Sequence, residues 1–473
     1  MLLLLACLVS AAVLDFAYAH LISRVPLFCC DTISIPREWL QEKLSSAPKS
    51  LPPKPRPDDS LTHILPPSRR PFLPSHIDPH SPHTSESAVL QSQIRMDADF
   101  KACGATRYTP TGFSTQEVQR LGKFPDYATL SGIPLPSPFP DFDIDKALPR
   151  PYRPFRWNYH QTMSLSKMDT DWWIELESTY RQRIAARKEL HWKHGKAVLD
   201  YLPGSELACK ELLEMVIQFL CARYPQYFTC DGKIFSNGIL GIQIDIESKH
   251  PLEILLDHVP EDFTIMIRDS QTGRYSLRAG VICYSIGWTL GDKLGLGLDE
   301  IHQPVPDYKE KMAFSMHRYF SKMPTDKPIQ RGAWSLEVGQ VLHLTKNDPE
   351  ITKEHTQDPN LSIEDCFLRV DWQTLRRLPL SGGVVFNFKA FFTPVSELRD
   401  EPKVPSVLSE ILKHGKKDLM EYKKTPLVEH VLIAAFEAWK REQEEAGLVD
   451  RDWNVATLEH SPFFAGWEAK WCS

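Results

Sequence analysis

The chain has 473 residues, 42% of them hydrophobic, with 12 Trp and 23 Phe, enough apolar material for a sizeable core in one large domain or two. Its net charge of −6 is mild and spread along the chain, and no basic run interleaved with aromatics occurs, which argues against a nucleic-acid partner. The 10 cysteines form no CxxC pair and show no zinc, plant-type iron–sulfur or disulfide-scaffold spacing, so most are expected to be buried thiols.

The N-terminus is apolar from Leu2 to Leu14, and Ala17-Tyr18-Ala19 has the small-x-small form of a signal cleavage site without the usual charged start. Counted through Ile22, the stretch approaches spanning length, interrupted by Asp15 and His20. Residues 1–19 are therefore expected to be a signal peptide or a membrane anchor, either of which directs the chain to the secretory or endomembrane system. Cys29-Cys30 is a candidate acylation site if it lies beside a membrane. Residues 20–95 read as a Pro-rich disordered tether, with Pro52-Pro53 and Pro66-Pro67 and too little apolar content to offset ordering entropy. Residues 96–154 read as an irregular lead-in, ordered by Phe139, Phe142 and Tyr152.

Regular structure is expected from Asp169, which can cap a helix carrying Trp173, Leu176, Tyr180 and Ile184 at helical spacing. A second amphipathic helix spans Leu207 to Cys221. Residues 263–268 and 275–284 form a β-hairpin across a Ser-Gln-Thr-Gly turn. Helices over about 287–302, ended by Pro304, and 307–322 follow. Strands are expected at 332–343, 366–371 and 383–391, then helices at 405–414, with Gly415 as C-cap, and 427–445. An antiparallel sheet with helices to one side makes residues 155–473 an α+β domain.

Several patterns carry no chemistry. Gly295-Leu-Gly297 lacks the third glycine and the preceding strand of a dinucleotide fingerprint, and no Walker A sequence or G-x-S-x-G elbow occurs. His191 and His194 fall at i, i+3 beside Lys188, Lys193 and Lys196, which suits a solvated basic helix end better than a metal site. His343 alternates with apolar residues as a hydrogen-bonding strand position would.

Two features stand apart. His302, in Ile301-His302-Gln303-Pro304-Val305-Pro306, closes an apolar helix, and Pro304 restricts the residue after it. That presentation suits helix-end packing or an axial ligand to a metal or haem. Arg376 and Arg377 precede a Gly pair among Leu375, Leu378 and Leu380. Consecutive strand residues point to opposite faces, so at least one faces an interior and needs an anionic partner. That partner is either a structural carboxylate or the acid groups of a cofactor.

The order His302-Gln-Pro-Val-Pro, Trp334-Ser335 and Gln373-Thr-Leu-Arg-Arg-Leu-Pro-Leu-Ser-Gly resembles the haem-dependent oxidative N-demethylase family in its fungal branch. Met163-Ser-Leu, Asp171-Trp172, Ala279-Gly-Val-Ile-Cys283, Trp288 and Asp292-Lys-Leu-Gly295 extend the resemblance over about residues 155–415.

The resemblance implies a PAS-like sheet holding haem b and a monooxygenase that oxidises a small amine, releasing an N-methyl group as formaldehyde with O2. It makes His302 the expected proximal iron ligand, Arg376 and Arg377 partners of haem propionates or of a polar distal group, and Lys293 an assisting residue. Three positions depart from the family pattern: Trp372 where an Arg or His is usual, Ala333 where Asn is usual, and Ser276 where Arg is common. The chain shows no flavin, nicotinamide or iron–sulfur fingerprint, so turnover requires a separate flavin or iron–sulfur reductase. The alternatives are a non-catalytic haem-binding PAS-like sensor or carrier and a scaffold that has lost the cofactor.

Overall fold

The computed structural model describes residues 109, 111, 113, 121, 124–269, 272–349, 351 and 357–472. The expected signal or anchor segment, the Pro-rich tether, Cys29-Cys30 and the first part of the lead-in lie outside the described residues.

In chain order the elements are α1 (Tyr127–Ser131), β1 (Ser166–Lys167), α2 (Tyr180–His194), β2 (Leu199–Tyr201), α3 (Glu206–Arg223), β3 (Phe228–Cys230), β4 (Ile234–Asn237), β5 (Ile242–Asp245) and α4 (Pro251–His258). Then come β6 (Asp262–Arg268), β7 (Tyr275–Val281), α5 (Leu290–Lys293), α6 (Leu298–Ile301), α7 (Ala313–Lys322), β8 (Ile329–Val338), β9 (Cys366–Arg377) and β10 (Val384–Pro394). The chain closes with α8 (Val404–His414), α9 (Lys417–Tyr422), α10 (Glu429–Glu445) and α11 (Trp467–Trp471).

The expected α+β class holds: a seven-stranded antiparallel sheet, ordered β1-β8-β9-β10-β6-β7-β2, is flanked by helices, with β3-β4-β5 as a separate small sheet. The helices occupy both faces, not one. Strand alternation explains this, because the central strands are apolar on both sides and each side must be covered. On one face Val385 and Leu378 join α3 and α4 in a core with Trp173, while Val370 and Trp372 pack with Tyr152, Phe155 and the α8 and α10 side chains. On the other face Leu375, Val384 and Phe388 pack with Leu290, Leu298, Met316 and Phe320 of α5, α6 and α7. The lead-in belongs to this architecture, since Tyr127, Phe142 and Tyr152 are all buried in the cores.

Two expected helices are shorter than their periodicity suggested. Asp169 does cap a turn, accepting from the Asp171 N–H, but that turn is a 3-10 segment ending at Trp172, and α2 starts only at Tyr180. The intervening donors are used elsewhere: Glu175 N–H goes to the Glu261 carboxylate and Ser178 N–H to Ala147 O. The expected 287–302 helix is two single turns, α5 and α6. Gly295 at φ +87° breaks them apart, and its N–H and the Leu296 carbonyl bond to Leu277 on β7 instead. The 307–322 helix opens with a π-turn over Tyr308–Met312. Strand β8 lies at 329–338, not 332–343, because Gly339 at φ +71° ends it. Strand β9 runs to Arg377, so both arginines lie within the ladder, paired with Val385 and Val384.

Candidate functional site

Strand register sorts the expected site residues onto two sides. Arg376, Thr374 and Trp372 share a face with Val385 and Asn387, while Arg377, Leu375 and Gln373 share the other with Val384, Phe386 and Phe388. Trp173 marks the first face, its indole N–H donating to Asn387 Oδ1 at 3.0 Å. The α5–α7 segment, with His302 at the end of α6, covers part of the second.

Arg377 is fully buried and its donors are taken by the protein. Nε donates to Met323 O at 2.7 Å, Nη1 to Tyr275 Oη and Gly382 O at 2.7 Å each, and Nη2 to Phe320 O. It ties the C-terminal end of α7 to the β9–β10 turn. Arg376 lies on the opposite face, its Cζ 3.9 Å above the Trp173 ring. The adjacent arginines therefore do not form one clamp beside His302. The expectation of a shared anion-binding pair gives way to one structural cation and one on the far side of the sheet.

His302 is the C-cap residue of α6, held by Pro304 and Pro306 beyond it. Its Nδ1 lies 2.7 Å from Leu298 O, which fixes the proton on Nδ1, and the ring stacks on Tyr308 with centroids 5.1 Å apart. Nε2 is left deprotonated and has no hydrogen bond to a described residue. A backbone carbonyl orienting one ring nitrogen while the other is presented is the arrangement of a metal-binding histidine. Burial pushes its pKa down to about 4, and the charges of Lys293 and Arg331 add to this, so the imidazole is neutral and ligand-competent at neutral pH. Lys293 sits 4.1 Å over the Trp288 ring, and its burial lowers its own pKa.

The residue that sequence reasoning passed over is Arg331. It lies on β8 opposite Gln373, on the His302 face of the sheet. Its Nε is buried without a partner, and its guanidinium makes no hydrogen bond or ion pair to a described residue. Desolvation lowers its pKa, and Arg156 adds to the strain. A second cation is near: Lys423 forms no ion pair with a described carboxylate, although Asp371 and Glu337 lie close enough to favour its charge; it donates to Trp334 O and lies 4.1 Å over the Trp334 ring. Its burial, with Arg331 repelling it, pushes its pKa down to about 7. A desolvated arginine with no carboxylate partner among the described residues, next to a second buried cation, is a place that can accept an acid group.

The family departures divide likewise. Trp372 stacks on Tyr152 at 4.0 Å on the far face, where it is a packing residue, whereas Ala333 lies on the His302 face beside Arg331. His343 is a hydrogen-bonding residue as expected, meeting Cys283 O at 3.0 Å. Among the described residues no three His, Cys, Asp or Glu side chains gather as a metal cage. A single presented imidazole beside unpaired cations suits iron held in an anionic macrocycle, which takes four ligands from the ring and needs one from the protein. The residues present thus fit haem. A family model described as haem-dependent oxidative N-demethylase, alpha subunit-like, matches residues 164–433, and the chain belongs to that family.

Proposed function

We propose that the protein is a haem-dependent monooxygenase that oxidatively demethylates a small N-methylated amine, using haem b, O2 and electrons from a separate flavin or iron–sulfur reductase. The observation that carries the reading is His302, with Nδ1–H fixed on Leu298 O and Nε2 presented, beside the unpaired Arg331. His302 would supply the protein's nitrogen ligand to the haem iron, and Arg331, assisted by Lys423, would hold the haem's acid groups. Lys293 would remain a positive charge near the imidazole that favours its neutral form. Bound haem supplies the O2-dependent oxidation; the chain supplies ligation, polarity and access. The sheet would act as a PAS-like platform, with Ala333 in place of an amide leaving a less polar wall next to Arg331.

Attachment through the N-terminal apolar segment to the endomembrane system is part of this proposal. Among the described residues no helix is long and apolar enough to cross a membrane, so such a role would fall to residues 1–22. Purified protein given a competent reductase and a panel of N-methylated amines is expected to release formaldehyde only with reductant and O2. Haem binding without turnover across the panel would instead support the sensor or carrier reading.

A further inference from the structure

Arg376 has no role in the His302 site, yet it is a buried charge that the chain does not neutralise. Only 7% of the residue is exposed, its Nε is buried without a partner, and no described carboxylate pairs with it. Among the described residues the Trp173 ring faces it at 3.9 Å. Arginine keeps its proton in proteins, so the charge persists at neutral pH. A cation–π contact recovers only about 2 kcal/mol when desolvated, less than the penalty for burying an ion.

The guanidinium lines a cleft formed by the segment from Tyr127 to Pro136, by α3 and by Thr170. None of the residues lining this cleft is acidic, and Arg376 is its only charged residue. The other polar groups on the wall are largely committed. Tyr127 Oη donates to Glu214 at 2.6 Å, and Gln218 Nε2 donates to Pro125 O at 2.6 Å. The buried carboxylates of α3 are also spent, Glu211 on the N–H groups of Leu380 and Ser381, and Glu214 on Tyr127 and Lys210. Thr170 also lines the cleft. The cavity is about 20 Å³, room for a single water-sized species. A single-atom anion such as a halide fits that space.

We propose that this cleft is a binding site for a halide-sized inorganic anion, for which chloride is the probe, held by Arg376 on the face of the sheet opposite His302. A water there would satisfy one N–H but not the charge, whereas a halide does both. Bound chloride would tie the lead-in to α3 and β9.

The test is thermal unfolding of the full chain in chloride, bromide and gluconate at equal ionic strength, with a bromide anomalous map of wild-type crystals. The Tm is expected to rise by about 2–4 °C and saturate in either halide but not in gluconate. The map is expected to place bromide at the Arg376 guanidinium. In R376M the halide dependence should vanish, with a Tm in gluconate at or above that of the wild type. Equal wild-type Tm values in chloride and gluconate, a halide effect that survives in R376M, or no bromide in the cleft would each overturn the proposal. Should R376M fail to fold, the wild-type salt comparison and the map decide alone. None of these readouts depends on haem.

Discussion

Replacing Arg377 with Met removes a cation that lies wholly inside the protein and donates four hydrogen bonds. Three of the acceptors are main-chain carbonyls, Phe320 in α7, Met323 just beyond it and Gly382 in the β9–β10 turn. A thioether cannot donate to any of them. Each buried carbonyl left without a donor costs about 1–3 kcal/mol, so the three together cost about 3–9 kcal/mol. Removal of the cation's own desolvation penalty offsets part of this, leaving a net destabilisation of about 3–5 kcal/mol. R376M, one residue away, breaks no hydrogen bond to a described residue and is expected to change stability by less than about 1 kcal/mol or to raise it. Urea unfolding of the haem-free proteins measures the contrast directly. If R377M were as stable as wild type without haem, yet lost haem affinity, Arg377 would be a cofactor clamp and the structural assignment would be wrong.

Arg331→Met should leave haem-free stability unchanged or raised, because the guanidinium has no partner to lose, and should weaken haem affinity by about 10–100-fold, the scale of one charge-assisted contact. Haem transfer to apomyoglobin measures it, and an unchanged affinity would remove Arg331 from the site. His302 has a pKa of about 4 in the fold and an ordinary one near 6.5 when unfolded. The unfolded chain therefore binds the extra proton between those values, and the contribution of His302 to stability is lost as pH falls from about 6.5 toward 4. His250 and His258, also pushed down to about 4 by burial, act with the same sign. H302F should flatten part of that slope in haem-free protein, and an identical pH profile would refute the assignment.

Much of the sheet was legible because its signals are local. The run from Val370 through Phe391 declares two apolar strands around Gly382-Gly383, and the structure pairs them residue for residue. Helices α3, α8 and α10 lie within a few residues of their expected ends. What failed depended on distant partners. Asp169 and Trp173 have helical spacing, but the backbone between Trp173 and Ser178 is claimed by Glu261 and Ala147, which no window of sequence contains. The short strands β3–β5 are too brief to show a period.

The site repeats the lesson. His302 could be singled out because its prolines are adjacent in sequence. Alternation alone separates Arg376 from Arg377, but which of them has carbonyls to bind is set by Phe320 and Met323 on another element. Arg331 went unnoticed because an unpaired charge is a property of its surroundings, and nothing in Ile-Gln-Arg-Gly-Ala-Trp announces that no carboxylate faces it.

The absorption spectrum of the purified full chain, expressed with adequate haem supply, tests the central claim most directly. A Soret band is expected in the wild type, shifted or lost in H302A, with the haem-free fold retained by circular dichroism. A chain that takes up no haem under those conditions, or an H302A spectrum indistinguishable from wild type, would contradict the assignment of His302 as the iron ligand.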